Sequence, residues 1–168
     1  MDASDADADL ITVIRDGWDL HLRYGIANPT FYSRIYGRAV PEQPCGVVSE
    51  VEAMLLRALQ PAAAQGRLCV APEHAAREIL AASTGVILTL ISQPADQRDL
   101  ALSHHVRDPI LDRITTTSLD SAQTDTTAKS SLTSAAIALS AAPTHDPAAL
   151  TDGELVLLKE WLTKLSDA

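Results

Sequence analysis

Apolar residues recur three and four positions apart along most of this chain, the spacing of one helix face. Ile11, Ile14, Trp18, His21, Leu22 and Gly25 mark such a face, with Arg15, Asp16, Asp19 and Arg23 mostly opposite. The spacing predicts a first helix from about Asp9 to Ala27, with an i,i+4 pair of Asp19 and Arg23. Residues 1–8, "MDASDADA", read as a disordered acidic leader. In "ANPTFYSRIYG", Asn28 suits an N-cap, Pro29 the first helical position and Gly37 the stop, so a short helix is expected over about 29–36.

A third helix is expected from about Val47, with Val48, Val51, Leu55, Ala58 and Leu59 inward. Pro61 is expected to kink or end its regular part, and Gly66 to close it. The next helix is predicted from Pro72 to about Ser92. Ile79, Leu80, Val86, Ile87, Leu88, Leu90 and Ile91 leave its second half apolar nearly all round, as in a central or interface helix. A further helix from about Asp96 carries Pro109, where a kink is expected and Asp108 could cap a second segment. "TTTSLDSAQTDTTAKS", residues 115–130, reads as a linker or lid. An Ala-rich helix over about 131–142 and a turn at "THDPAA" follow. Thr151 and Glu154 form a capping box for a last helix, with Leu155, Leu158, Leu162 and Leu165 on one face and Trp161 beside it.

No alternating strand pattern stands out, and the fold class is all-α with about six to eight helices. The 168 residues fit one domain, 9–168, with a core of its own. The formal net charge of −9 argues against nucleic acid and against anionic membrane surfaces. The stretch around "GVILTLIS" is too short and too rich in Ser and Thr to span a bilayer. Cys45 and Cys69 form no ligand motif and read as reduced structural thiols of a cytoplasmic protein.

The chemistry is sparse. No nucleophile elbow, P-loop, zinc helix or Gly-rich nucleotide turn is present, so no enzyme, metal or cofactor is expected. His104 and His105 are adjacent and cannot chelate from one helix face. The outstanding feature is the allocation of aromatics. Of two Trp, three Tyr and one Phe, all but Trp161 lie between Gly17 and Gly37. They form a packed core, line a ligand pocket or make an interface, and the residues alone leave these readings open.

Three phrases, "GWDLHLRYGIANPTFYSRIYG", "QGRLCVAPEHAAREILAASTGVILTLISQP" and "LTDGELVLLKEWLTKL", span most of residues 9–166. Their order and spacing resemble the C-terminal effector domain of tetracycline-repressor-like (TetR) transcriptional regulators. The resemblance implies a TetR-like helical bundle that binds a small apolar or aromatic effector among its first four helices. Trp18, His21, Tyr32, Tyr36, Met54, Ser83 and Ile87 would supply the mostly apolar lining with a few polar groups that such pockets use. It also implies a homodimer, built by the helices 72–92 and 96–115 or by 131–142 and 152–166, where small residues such as Ala81, Ala82, Ser83 and Gly85 allow close approach. Regulators of this type begin with a basic helix-turn-helix domain. Here only an acidic octapeptide precedes Asp9, so the chain is expected not to bind DNA itself. The alternative is a stand-alone helical interaction module without a ligand.

Overall fold

The structure, a computed structural model, describes residues 3–38, 41–43, 45–115, 124–142 and 150–166; side chains at 3–9 and 124–131 are not described. Among these residues the protein is all-α. The helices are α1 (Ala3–Ala27), α2 (Pro29–Tyr36), α3 (Gly46–Ala64), α4 (Pro72–Ser92), α5 (Ala101–Ile114), α6 (Thr124–Ala141) and α7 (Asp152–Ser166). A single 3-10 turn, Ala95–Gln97, precedes α5.

The chain forms two compact units. The first takes Met1–Leu55 and Ala76–Leu111, the second Leu56–Ala75 and Asp112–Ala168. In the first, Leu10, Ile14 and Trp18 of α1, Tyr32 of α2 and Ile79, Leu80, Val86, Ile87 and Leu90 of α4 are buried. Each such large side chain withdrawn from water contributes about 1.5–3 kcal/mol. The pattern on α1 matches the expected face, and α2 and α4 have the expected bounds. Buried Arg107 of α5 pairs with Asp19 of α1 at 2.9 Å and with its neighbour Asp108 at 3.0 Å, and Arg15 reaches Asp108 at 3.6 Å. Asp19 thus serves a tertiary pair across α1 and α5, where an intrahelical one with Arg23 was expected. Asp108 is occupied by these arginines, and α5 runs unbroken through Pro109.

In the second unit Leu59, Ala62, Ala63, Leu68, Ile114, Ala136, Ile137 and Leu162 are buried. α6 packs along α7, and the Thr133 hydroxyl donates to Leu165 O. The capping box forms: Thr151 N–H donates to Glu154 Oε2 at 2.8 Å, and Glu154 N–H returns to Thr151 Oγ1 at 3.4 Å. α3 continues through Pro61 to Ala64 and ends in a Schellman turn. There Arg67 N–H donates to Ala62 O, Gly66 N–H donates to Ala63 O, and Gly66 takes φ +69°. Beyond it, Leu68 and Thr115 form an isolated antiparallel bridge, and Cys69 N–H donates to Ile114 O at 2.9 Å.

Some boundaries differ from the expected ones. α1 begins at Ala3, taking most of the acidic leader into a helix, since Ala favours helix and Asp suits a positive helix N-terminus. α5 begins at Ala101, where Asp99 Oδ1 accepts its N–H at 3.1 Å, five residues after the expected Asp96. α6 begins at Thr124, so the expected linker over 115–130 is helical from 124; its residues 116–123 and the turn at 144–149 lie outside the described residues. α4 is not apolar all round in its packing. Ala75, Ala76, Ile79, Leu80, Ser83, Val86, Ile87 and Leu90 are buried, while Arg77, Ala81, Gly85 and Thr89 form an exposed stripe at i,i+4. By length and composition alone α4, a longer stretch than the one around "GVILTLIS", could cross a membrane; 44% of that window is buried within the protein.

Candidate functional site

The corner between α1 and α2 is made by Asn28. Its carbonyl accepts Tyr32 N–H at 2.9 Å, which starts α2. Its side chain does not cap α2 as expected. It donates from Nδ2 to Tyr24 O at 3.0 Å and so finishes α1. Pro29, having no N–H, leaves one fewer donor at the start of α2 to satisfy. The corner turns α2 back against α1, and Gly25 makes the approach possible. A Cβ there would overlap Ile87 Cγ2 and stand 3.2 Å from the Tyr32 ring.

Three rings then gather. Tyr32 and Tyr36 stack with centroids 4.4 Å apart; His21 lies tilted to Tyr32 at 5.4 Å and edge-on to Tyr36 at 5.6 Å. Polar atoms connect them to α4. The Tyr32 hydroxyl bonds His21 Nε2 at 3.1 Å, His21 Nδ1 bonds Ser83 Oγ at 3.3 Å, and Ser83 Oγ donates to Leu80 O at 3.2 Å. Burial pushes the His21 pKa below its ordinary value and so favours the neutral ring. Burial likewise pushes the Tyr32 hydroxyl far up; the Thr84 hydroxyl is near enough to ease that shift, yet Thr84 Oγ1 lies outside hydrogen-bond geometry. Tyr36 is also raised, first by burial and then by Cys45 and Tyr24 nearby.

Beside Tyr36 opens a groove of about 690 Å³. Ile35 and Tyr36 of α2, Val48 of α3 and Leu80 and Ala81 of α4 give it apolar walls. Arg38, Glu42, Gln43, Ser49, Glu52, Arg77 and Thr84 add polar groups. Arg77 Nε donates to Glu52 Oε1 at 2.9 Å, joining α4 to α3 along the groove. Glu42 holds φ +61°, a left-handed conformation that non-glycine residues seldom adopt. Cys45, which is in no disulfide, is exposed and lines the groove, where a structural thiol was expected; Cys69, also outside any disulfide, is half-buried.

Of the seven residues singled out in the sequence, His21, Tyr32, Tyr36 and Ser83 form one connected cluster, and Ile87 and Tyr32 both border Gly25. Only Tyr36 lines the groove. Trp18 is 3% exposed and donates to Ser103 elsewhere in the core. Met54 is 57% exposed and lies outside the cluster, because the inward face of α3 is set by Val51, Leu55 and Leu59. Tyr24 and Phe31 are exposed. The groove residues Arg38, Glu52, Arg77 and Thr84 were missed. They are polar residues scattered over three segments, and no periodic signal joins them. Among the described residues no group of three or more His, Cys, Asp or Glu side chains is placed to hold a metal ion.

Compared with known protein families, with characterised proteins and with solved structures, the chain matches none.

Proposed function

We propose that this chain is the effector-binding and dimerisation domain of a TetR-like transcriptional regulator, with a small apolar or aromatic ligand seated in the groove beside Tyr36. The observation that carries the reading is the groove itself. Its volume falls within the range of small-molecule sites, and its walls combine apolar surface with a few convergent polar groups. Tyr36 connects it, through Tyr32 and His21, to α1. In an intact regulator α1 is the helix whose movement would reach the DNA-reading heads, and a ligand shifts it only by binding one arrangement better than the other. The acidic chain itself is read as non-catalytic, cytoplasmic and unable to hold an operator.

The dimer is assigned to α6 and α7. α4 spends its broad face on the chain's own core, whereas α6 exposes Leu132 and Leu139, and α7 exposes Val156, Leu157 and Trp161. The same surfaces support the second reading, a stand-alone interaction module.

A thermal-shift screen of apolar and aromatic metabolites on wild type and Tyr36→Ala tests the first. Stabilisation of wild type that Tyr36→Ala loses supports the groove; stabilisation shared by both variants places the ligand elsewhere. No stabilisation by any compound, together with a dimer that Trp161→Ser dissolves, favours the interaction module.

A further inference from the structure

Three residues of the groove wall touch the hydrogen-bond chain behind it. Tyr36 stacks on Tyr32, Leu80 O is the terminal acceptor, and Thr84 lies beside the Tyr32 hydroxyl. The direction of the chain follows from that end. Ser83 Oγ spends its proton on Leu80 O, so its oxygen is left to accept from His21 Nδ1–H. A neutral imidazole carries one N–H, so Nε2 is an acceptor and the Tyr32 hydroxyl donates to it. Tyr32, His21 and Ser83 each donate once, and Thr84 Oγ1 is left buried without a partner.

A second proton on His21 cannot be added to this arrangement. Nε2–H would face the proton of the Tyr32 hydroxyl. That hydroxyl must then rotate, accept from His21 and donate to Thr84 Oγ1, the unused acceptor beside it. The chain therefore has two complete arrangements that differ by one proton, and only in the protonated one does the Tyr32 hydroxyl turn to donate to Thr84 on the groove wall.

The titratable groups facing His21 are Tyr32 and Tyr36, both on α2 and both uncharged near neutrality; α4 presents the uncharged Ser83. No carboxylate among these contacts compensates an imidazolium. An apolar ligand in the groove would cover Tyr36 and Thr84 and exclude water from the cluster behind them. That favours the uncharged ring, and by linkage the uncharged ring favours the ligand.

We infer that the Tyr32–His21–Ser83 chain is a proton-linked switch on the groove: a neutral apolar ligand binds with His21 neutral and is released as His21 takes up a proton. The inference rests on the groove being the ligand site.

The test uses N-phenyl-1-naphthylamine, a neutral aromatic dye that fluoresces in apolar surroundings, titrated into the full chain from about pH 8 to about pH 4, across the ordinary range of histidine. Its Kd is expected to rise on acidification, by about tenfold for each unit by which the dye displaces the His21 titration. His21→Gln, whose amide can both accept from Tyr32 and donate to Ser83, is expected to bind with no such dependence. Imidazole nitrogen NMR is expected to show the Nδ1–H tautomer at neutral pH. Equal affinity across the range in wild type, the same pH dependence in His21→Gln, or an Nε2–H tautomer overturns the switch while leaving the groove in place. No dye binding at any pH overturns the groove reading itself, and the switch with it.

Discussion

The indole N–H of Trp18 donates to the hydroxyl of Ser103, 2.8 Å away and 85 residues along the chain. Both residues are buried, at 3% and 0% exposure. The bond fixes α1 against α5 at a point where the ring alone would only fill space. Trp18→Phe keeps most of the apolar area and strands the Ser103 hydroxyl, which is expected to cost about 1–3 kcal/mol. Trp18→Ala adds a cavity and is expected to cost about 3–5 kcal/mol. Urea unfolding of both variants measures the difference, and similar losses in the two would mean that the hydrogen bond, more than the ring, carries the contact.

Gly25 and Gly17 lie two turns apart on α1 and are expected to respond oppositely to alanine. A Cβ on Gly25 overlaps Ile87 and presses on Tyr32. The resulting strain, about 1–3 kcal/mol, outweighs the gain in helix propensity of about 1 kcal/mol. A Cβ on Gly17 meets nothing within 4 Å. Gly17→Ala is therefore expected to stabilise by about 0.5–1 kcal/mol. Thermal unfolding of the two variants side by side reads the sign of each.

Stability is expected to depend on pH through His21. Its pKa is lowered from 6.5 in the folded chain, so between 6.5 and the lower folded value the unfolded chain binds more protons. The stabilising contribution is complete above about pH 6.5 and is lost as pH falls through the folded pKa. Glu154, its carboxyl lowered by Thr151 N–H and the Thr151 hydroxyl, loses its contribution in a separate window below the ordinary carboxylate value of 4.5. His21→Gln is expected to flatten the first window and leave the second unchanged in denaturation midpoints measured across pH. A first window that persists in His21→Gln assigns it to another group.

Gly66 offers a test of backbone alone. Its φ of +69° is the left-handed conformation that the Schellman turn requires, and a Cβ there would stand 3.7 Å from Ala138 Cβ, an ordinary contact. Gly66→Ala is therefore expected to cost about 1–2 kcal/mol from conformation, with no packing term. Urea unfolding of the variant measures it; a loss near zero would show that the turn relaxes to another closure.

What was legible in the sequence was local. The Pro29 start, the full extent of α4, the Gly66 turn and the Thr151–Glu154 box each depend on residues within a few positions of one another. The inward face of α1 followed from spacing alone. The failures are long-range. Nothing near Asp19 foretells Arg107, 88 residues away. Nothing near His21 foretells Ser83, 62 residues on, although both were singled out for their chemistry. Asn28 holds the expected N-cap position of α2, but its side chain, with a carbonyl behind and amides ahead, serves α1. The aromatic allocation pointed to the right corner of the molecule but not to the groove beside it, whose polar groups come from α3, α4 and the segment joining α2 to α3.

The Leu68–Thr115 bridge reaches beyond its two residues. It sets Cys69 N–H against Ile114 O, next to side chains of Leu68 and Ile114 that are fully buried. A connector of this kind ordinarily trades its amide hydrogens with water quickly. Here the Cys69 amide is hydrogen-bonded beside buried side chains, and its deuterium uptake is expected to follow unfolding of the packed interior around it. Within the short link between α3 and α4, this one amide is thus expected to exchange with the slow part of the protein.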